Sequence, residues 1–356
     1  MKLNALTLVV TSDCNFRCQY CYVTKNKDYL SLSAAQKSID FFLPKLAQEF
    51  YLNFYGGEPL LSWNLIKKTI SFVKTKNKAN KNVHYSITTN GSLLSKNIID
   101  FFDQNNFSIA LSFDGLAQDI QRIKGSSKKI ISHINELLKR RNIYFEINSV
   151  FNSDGIHLLS DSIQSIIDLG VPNIRLSIST INPWNEDSIE NLKEELIKLR
   201  KTLIHFYNTH KQIPVINFRK NKNEGIFRCY AGQDRLTITP TEEIVGCHIF
   251  HEYLQGKEKT LEYKKYCFGN LDYFMKNFHK IYKEISSNYS QFSMENYSTP
   301  KRHCFLCPEL KYCGICPANA ALAGSPLGKV PLHMCQIKKL RIEQIKLFWK
   351  ELGFLE

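Results

Sequence analysis

The sequence has no long apolar run. None of its hydrophobic stretches approaches the roughly 20 residues that cross a bilayer, so no membrane association is expected. The short apolar segment after Lys2 ends at Ser12-Asp13. It lacks the length and the small-residue cleavage site of a secretory signal, and the chain is expected to stay in the cytoplasm. Acidic residues are also scarce: 33 Asp and Glu stand against 47 Lys and Arg, a formal net charge of +14. A basic surface attracts acidic peptide, anionic lipid or nucleic acid. The lysines are dispersed, with modest concentrations at Lys74 to Lys81 and Lys211 to Lys222. No basic stripe interleaved with aromatics is present, so nucleic acid is not the expected partner. No internal repeat stands out beyond strand–helix alternation and paired C-x-x-C units.

What the chain does have is cysteine: eleven, an odd number, mostly in tight clusters. In a reducing compartment such clusters point to metal before disulfides. A secreted, disulfide-bonded protein is the alternative, and it is weakened by the missing signal and the apparent size of the core.

With 356 residues the chain is expected to hold two domains. Over the first 210 residues, strand candidates at 5–10, 51–55, 83–88, 107–113, 143–150 and 173–179 alternate with helix candidates near 33–49, 62–76, 94–105, 127–141, 157–169 and 187–208. The last helix shows the clearest period, with Ile189, Leu192, Leu196, Leu199 and Leu203 at spacings of three and four. Ser33 and Asp187 are expected N-caps, and Pro44 should kink or shorten the first helix. Six strand–helix units in a row predict an α/β fold with a parallel sheet, either open and doubly wound or a full or partial barrel. In each case ligands belong at the carboxyl ends of the strands. Polar and glycine-rich segments recur there: the cysteine loop, then Gly56-Gly57-Glu58-Pro59, Thr88 to Gly91, Ser112 to Gly115, Asn148-Ser149 and Ser177 to Thr180. Beyond a basic stretch at 210–228, Leu236 to Pro240 and Ile244-Val245 predict a hairpin turning at 241–243. A final helix is expected from about 336 to 352.

The first cysteine loop reads TSDCNFRCQYCYV, with Cys14, Cys18 and Cys21 inside eight residues. Soft thiolates favour zinc or iron–sulfur. Structural zinc sites take four protein ligands, usually as two separated pairs. Three thiolates with no fourth nearby suit a cubane cluster with one open iron, although zinc is not excluded by the local pattern. The spacing CxxxCxΦC, with Tyr20 as the aromatic, resembles the radical S-adenosylmethionine (SAM) superfamily, and GGEP after the second strand resembles that family's motif for the methionine amino group. The resemblance implies a partial (β/α)6 TIM-like barrel. It also implies SAM chelated to the open iron and cleaved to a 5′-deoxyadenosyl radical that abstracts a substrate hydrogen. By the same resemblance Gly56 and Gly57 let the backbone approach the methionine, and Glu58 accepts from its amino group. Asn90, Ser112 and Asn148 contact SAM, and Arg122 binds its carboxylate unless it pairs at the surface with Asp119. Tyr20, Pro59 and Asp114 complete the implied cofactor contacts.

The second half carries Cys229, Cys247, Cys267, Cys304, Cys307, Cys313, Cys316 and Cys335, with the run C-x2-C-x5-C-x2-C from Cys304 to Cys316. Two tight pairs plus three more cysteines exceed one zinc site. The pattern resembles the SPASM extension of radical SAM enzymes. The family's glycine five residues before the second cysteine is replaced here by Glu242. The resemblance implies one auxiliary [4Fe–4S] cluster on Cys304, Cys307, Cys313 and Cys335 and another on Cys229, Cys247 and Cys316, three clusters in all. A further family cysteine falls at Asn223, so the second auxiliary cluster has an open iron. Cys267 is the alternative fourth ligand of that cluster, but a buried, inert thiol is the expected reading. The implied division is a radical SAM core at 1–220 and a small cysteine-rich α+β SPASM domain at 221–356.

SPASM enzymes act mostly on peptides and proteins. One branch makes formylglycine in sulfatases and tends to carry an aspartate base just after the second cysteine of this domain; here that residue is His248, a weak candidate base. The other branch forms thioether or carbon–carbon cross-links, or epimers, in ribosomally made precursor peptides. That branch is the expected function, with the sulfatase-maturing branch as the alternative and a zinc-stabilised binding module without catalysis behind both. The expected partners are a precursor peptide, a reducing protein such as flavodoxin or ferredoxin and, since Cys14 leaves no room for a recognition domain before it, a separate peptide-recognition protein.

Overall fold

Side chains alternate along the strands and so set the layers. In the strand Leu46–Gly56, Phe50, Leu52 and Phe54 are buried against helices, while Tyr51, Asn53 and Tyr55 lie on the other face. Six strands of this kind form in chain order: β1 (Leu3–Thr11), β2 (Leu46–Gly56), β3 (Asn82–Thr89), β4 (Ser108–Ser112), β5 (Tyr144–Phe151) and β6 (Ile174–Ile178). The structure, a computed structural model, describes residues 2–182, 184–220 and 225–354. Neighbouring strands are all parallel, in the spatial order β6-β5-β4-β3-β2-β1. The two ends of this run do not pair with each other, which is the open arrangement of a partial barrel.

The connecting helices are α1 (Leu32–Phe42), α2 (Trp63–Lys76), α3 (Lys96–Gln104), α4 (Gln118–Gln121), α5 (Ser127–Leu138), α6 (Leu159–Asp168) and α7 (Glu186–His210). The first is shorter than its expected span of 33–49. Pro44 lies in a tight turn, Leu43–Lys45, and β2 begins at Leu46, because proline offers no amide to continue the ladder of helical bonds. Two caps also differ from expectation. Ser31, not Ser33, caps α1, its Oγ accepting from Ala34 N at 3.0 Å. Asn185, not Asp187, caps α7, accepting from Ser188 N at 2.8 Å. Asp187 instead sits in the first turn, where its charge favours the helix dipole.

The sheet does not stop where the βα units end. β7 (Arg235–Ile238) pairs parallel with β1, and β8 (Glu243–Val245) and β9 (Cys267–Asn270) follow antiparallel, giving nine strands in one sheet. The β7–β8 hairpin turns where expected. Its residue Glu242, at the position where the SPASM pattern has glycine, adopts φ 64°, so the left-handed turn is kept with a side chain that strains it. The last helix, Leu332–Glu351, starts four residues before its expected position. It returns across the βα units: Arg341 donates to Leu176 O (3.2 Å), His333 Nε2 lies 3.0 Å from Thr180 O, and Arg200 pairs with Glu351 at 3.2 Å. Cys335 is thereby tied to the rim at the end of β6. The expected boundary at residue 221 and the position of Asn223 lie outside the described residues.

Candidate active site at the strand ends

The strand face away from the helices is polar. Asn53 donates to Thr7 Oγ1 (3.2 Å) and accepts from Ser86 Oγ (2.5 Å); Ser177 Oγ donates to Asn148 Oδ1 (3.4 Å); Arg175 forks onto Glu146 at 2.7 and 3.0 Å. A TIM-barrel interior is ordinarily filled by apolar layers. A half-buried polar face at this place is a lining for a ligand.

The cysteine loop leaves β1 at this end. Cys14 is buried, Cys18 half-buried and Cys21 exposed. Burial raises the Cys14 and Cys18 thiols, and each lies close enough to its neighbour in the motif to raise it further. The loop is clamped to the GGEP turn: Gly57 N donates to Thr11 O (2.9 Å) and Glu58 N to Asp13 O (2.8 Å). A Cβ on Gly56 would stand 2.3 Å from Thr11 O, and one on Gly57 2.3 Å from Asp13 O. Both glycines are thus required by the cysteine loop's own backbone. Pro59 opens the tight turn that follows.

Glu58 is fully buried and ties two rims together. It accepts from Thr89 Oγ1 (2.7 Å), Asn90 N (2.7 Å) and Leu60 N (3.0 Å). Burial nonetheless pushes its carboxyl up to about 7. Asn90 in turn donates to Asn15 Oδ1 at 2.9 Å and faces Cys14 Sγ at 3.9 Å. Ser112, at the end of β4, is nearly buried beside Asn148 on β5.

Asp114 and Arg122 form a buried fork, Nε to Oδ2 at 2.8 Å and Nη2 to Oδ1 at 2.9 Å. Tyr20 OH (2.6 Å) and Val150 N (2.8 Å) also donate to Asp114, so each carboxylate oxygen accepts twice. Arg122 is therefore no surface residue and does not pair with Asp119, whose Oδ1 accepts instead from Ser127 N (2.9 Å). Asp114, fully enclosed, positions Tyr20 and Arg122 and offers no free face to a ligand. Arg122 also reaches Asn148 O at 3.4 Å, which joins the fourth and fifth rims.

The later cysteines fall into two groups. Cys304, Cys307, Cys313 and Cys335 line one small cavity with apolar walls such as Met294 and Ile315 and with Glu309, Lys338 and Lys339. Burial lifts Cys313 to about 11, and Arg302 Nη2 lies 3.3 Å from Cys307 Sγ. Cys229, Cys247 and Cys316 gather separately. Burial raises Cys247 most, then Cys316 and Cys229 beside it, and Cys229 is pushed to about 11. Cys267 belongs to neither group; its thiol is buried in β9 and donates to Ile244 O at 3.6 Å. All eleven cysteines are free thiols. Among the described residues no three His, Cys, Asp or Glu converge tightly enough to hold a single ion. All-thiolate sets of three, three and four, one of them around a cavity, fit metal–sulfide groups, which need wider spacing than one tetrahedral ion.

One contact between the first and later cysteines was not legible in the sequence. Tyr22, after Cys21, and Tyr55, before GGEP, meet hydroxyl to hydroxyl at 2.8 Å. The Tyr55 ring stacks on His248, the residue after Cys247, at 3.9 Å between centroids. His248 begins the short helix α8 (His248–Leu254), and burial pushes it down to about 4, so it is neutral at pH 7. One turn on, Glu252 accepts from Thr24 N at 2.9 Å. The only sequence signal for these tyrosines is adjacency to Cys21 and Gly56.

The family model described as the Radical SAM superfamily matches residues 8–169, which carry the cysteine loop, GGEP and the Asp114–Arg122 fork. Residues 8–169 form a radical SAM domain. The radical SAM cyclopropyl synthase TigE of Paramaledivibacter caminithermalis is 25% identical over 305 residues, 78% of this chain and 64% of TigE. A cysteine-type anaerobic sulfatase-maturating enzyme of Clostridium novyi is 33% identical over 168 residues, 43% of this chain and 45% of the enzyme. The chain thus spans less than two thirds of either relative. The solved structure of native anSMEcpe with bound AdoMet and Cp18Cys peptide superposes over 99% of both chains, with a TM-score of 0.76 at 16% identity. At that identity the likeness shows the fold, and it extends through the cysteine-rich second half.

Proposed function

We propose that the chain is a radical SAM peptide maturase, with a core at 1–220 and a SPASM auxiliary-cluster domain at 221–356. The observation that carries this reading is the clamp between the three-cysteine loop and GGEP, with a second cysteine group reaching the same mouth through Tyr22, Tyr55 and His248. Cys14, Cys18 and Cys21 would hold a [4Fe–4S] cluster and leave one iron for SAM. Cys304, Cys307, Cys313 and Cys335 would hold a second cluster, and Cys229, Cys247 and Cys316 a third. When bound, cluster and SAM supply the 5′-deoxyadenosyl radical that takes a substrate hydrogen.

The chain's own residues do the rest. Gly56 and Gly57 bring the GGEP backbone against the cysteine loop. Glu58 and Asn90 hold the loop and the third rim together, and Ser112, Asn148 and Arg122 line the side away from it. Tyr20, seated on Asp114, fixes the cysteine loop from beneath. His248, neutral and stacked, is placed to accept a proton from a peptide entering between the two cysteine groups.

The peptide class is supported by relatives. TigE is a cyclopropyl synthase, so carbon–carbon bond formation occurs among the chain's kin, and the anSMEcpe structure holds a peptide. Formylglycine formation is the second reading, favoured by the maturase match but lacking an aspartate at position 248. A binding module without catalysis does not fit a chain with a radical SAM domain.

Anaerobic reconstitution tests the reading first: about twelve irons and cleavage of SAM to 5′-deoxyadenosine are expected, whereas a zinc protein without cleavage sinks it. Co-expression with a candidate precursor peptide identifies the bond: a loss of about 2 Da marks a cross-link or ring, no change an epimer, and a loss of about 18 Da at cysteine formylglycine.

A further inference from the structure

Two buried tyrosines among the later cysteines use their hydroxyls differently. Tyr289 OH donates to Tyr266 O (2.6 Å) and accepts from Gly246 N (3.0 Å), so the phenol next to Cys247 is fully occupied by backbone. Tyr297 is 1% exposed, yet its hydroxyl has no hydrogen-bond partner among the described residues. A buried hydroxyl without a partner loses its hydration and gains nothing for it, and native proteins hold few of them.

The backbone places Tyr297 where three cysteine-bearing segments meet. Residues 227–229 run antiparallel to 292–294: Cys229 N donates to Phe292 O (2.8 Å) and Met294 N to Phe227 O (3.0 Å). After one tight turn, Met294–Asn296, the Tyr297 carbonyl accepts from Cys304 N at 2.9 Å. The loop from Cys313 to Cys316 passes beside the first of these segments, where a Cβ on Gly314 would meet the Phe227 side chain at 3.2 Å. Burial first, and then the charge of Cys229, Cys316 and Cys304, hold the Tyr297 phenol above its ordinary value. Two of those three thiols belong to the group that has only three cysteines. A phenol is protonated at neutral pH and has one proton to donate. Nothing in the polypeptide accepts it, whereas a thiolate or sulfide sulfur can.

We propose that the Tyr297 hydroxyl donates a hydrogen bond to a sulfur of the metal–sulfide group on Cys229, Cys247 and Cys316 and thereby raises its reduction potential. This rests on the reading that those cysteines hold such a group. Reduction adds negative charge to the group, so a donor at its sulfur favours the reduced form. Tyr297 acts through the group and is a positioning residue, not a catalytic one.

The test uses the reconstituted full chain and redox titration followed by electron paramagnetic resonance. Cys229→Ala identifies the signal of the three-cysteine group as the one it lacks, at an iron content lowered by about a third. In Tyr297→Phe the midpoint of that signal is expected to move to more negative potential. The reduced-to-oxidised ratio at a fixed poise should fall ~3-fold or more, as loss of one hydrogen bond would cause, and the remaining signals should stay where they are. An exchangeable proton coupled to the same signal in the wild type should be missing from the variant. The metal-free variant should resist urea at least as well as wild type, because its lost hydroxyl had no protein partner. An unmoved midpoint at full iron content overturns the proposal. So does a less stable metal-free variant, which would give the hydroxyl a partner in the polypeptide, and so does iron loss in Tyr297→Phe, which would make the phenol a ligand. If Cys229→Ala keeps the wild-type iron, the reading of the group itself fails and the hydrogen bond with it. If iron falls there while the Tyr297→Phe midpoint holds, only the hydrogen bond fails.

Discussion

The hydroxyls of Tyr22 and Tyr55 lie 2.8 Å apart, and through the Tyr55 ring this pair is stacked on His248. Tyr22 follows the last cysteine of the first loop and His248 follows Cys247, so three side chains span the mouth between two cysteine groups. The phenol pair does not ionise near neutrality: burial pushes Tyr55 up to about 12 and raises Tyr22 well above its ordinary value. Its task is to hold His248 and shape the opening.

If His248 accepts the substrate proton, His248→Ala should leave SAM cleavage intact and cut modified peptide per 5′-deoxyadenosine by about 100-fold, the low end for a lost general base. The neutral imidazole exists above its folded pKa of about 4. The wild-type product ratio should therefore be flat from pH 8 to 6 and fall only toward the acid limit. A break near pH 6.5 would mean that the working base is another group. Tyr55→Phe, which keeps the stack and loses the hydroxyl pair, should lower the ratio less than His248→Ala does.

Asp114→Asn should destabilise the metal-free protein by about 3–5 kcal/mol, because it leaves Arg122 charged, buried and without its counter-ion. Urea unfolding measures this. The Asp114→Asn/Arg122→Met pair should recover part of the loss, since removing both charges removes the uncompensated one. Equal losses in the single and double variants would show that the ion pair is not what Asp114 supplies.

Glu58 gives the stability a pH dependence of unusual sign. Its folded pKa of about 7 lies above the ordinary carboxylate value of 4.5, so between those values the folded state binds more protons than the unfolded. Its contribution is complete below about pH 4.5 and is lost as pH rises through 7. Unfolding free energy of the metal-free protein should fall by about 3 kcal/mol from this group between pH 5 and 8, and Glu58→Gln should flatten that slope. A SAM ammonium beside Glu58 would favour the carboxylate, so SAM binding near pH 7 should release protons. Calorimetry in buffers of different ionisation enthalpy would detect the release, and a null result would put the ammonium elsewhere.

Much of the fold was legible because strand alternation and helical period are local signals. All six strands and the helix carrying Leu192, Leu196, Leu199 and Leu203 lie where the pattern places them. The first cysteine loop was legible because Cys14, Cys18 and Cys21 share eight residues, whereas the grouping of Cys229 and Cys247 with Cys316 came only from the resemblance. What was not legible depends on distant backbone. Arg122 reads in sequence as a contact to the SAM carboxylate or a surface partner of Asp119, and only the curl of α4 turns it onto Asp114. The continuation of the sheet through β7 is equally invisible, since nothing in Leu236 to Ile238 names β1 as its neighbour. Glu242 was legible as a departure from a glycine pattern, and its φ of 64° gives the physical meaning of that glycine. Glu242→Gly should raise stability by up to about 1 kcal/mol, the left-handed penalty less the added chain entropy, unless the contact of Ser31 Oγ with its carboxylate at 3.3 Å offsets the gain.

The three cysteine groups should come apart in their effects. Cys14→Ala and Cys335→Ala should each lower the iron content of the reconstituted protein by about a third, from about twelve to about eight, if each group holds four irons. Their chemistry should differ. Cys14 is buried against Asn90 and Asn15 in the loop clamped to GGEP, so its loss should abolish SAM cleavage altogether. Cys335 lies on the far helix, held to the rim through His333, and its loss should leave dithionite-driven cleavage measurable while modified peptide falls. Cys267→Ala should change neither count nor cleavage, because its thiol already donates to Ile244 O within the sheet. Iron analysis and 5′-deoxyadenosine assay of the three variants side by side would decide the assignment. Loss of iron in Cys267→Ala would make that thiol the fourth ligand of the Cys229, Cys247 and Cys316 group.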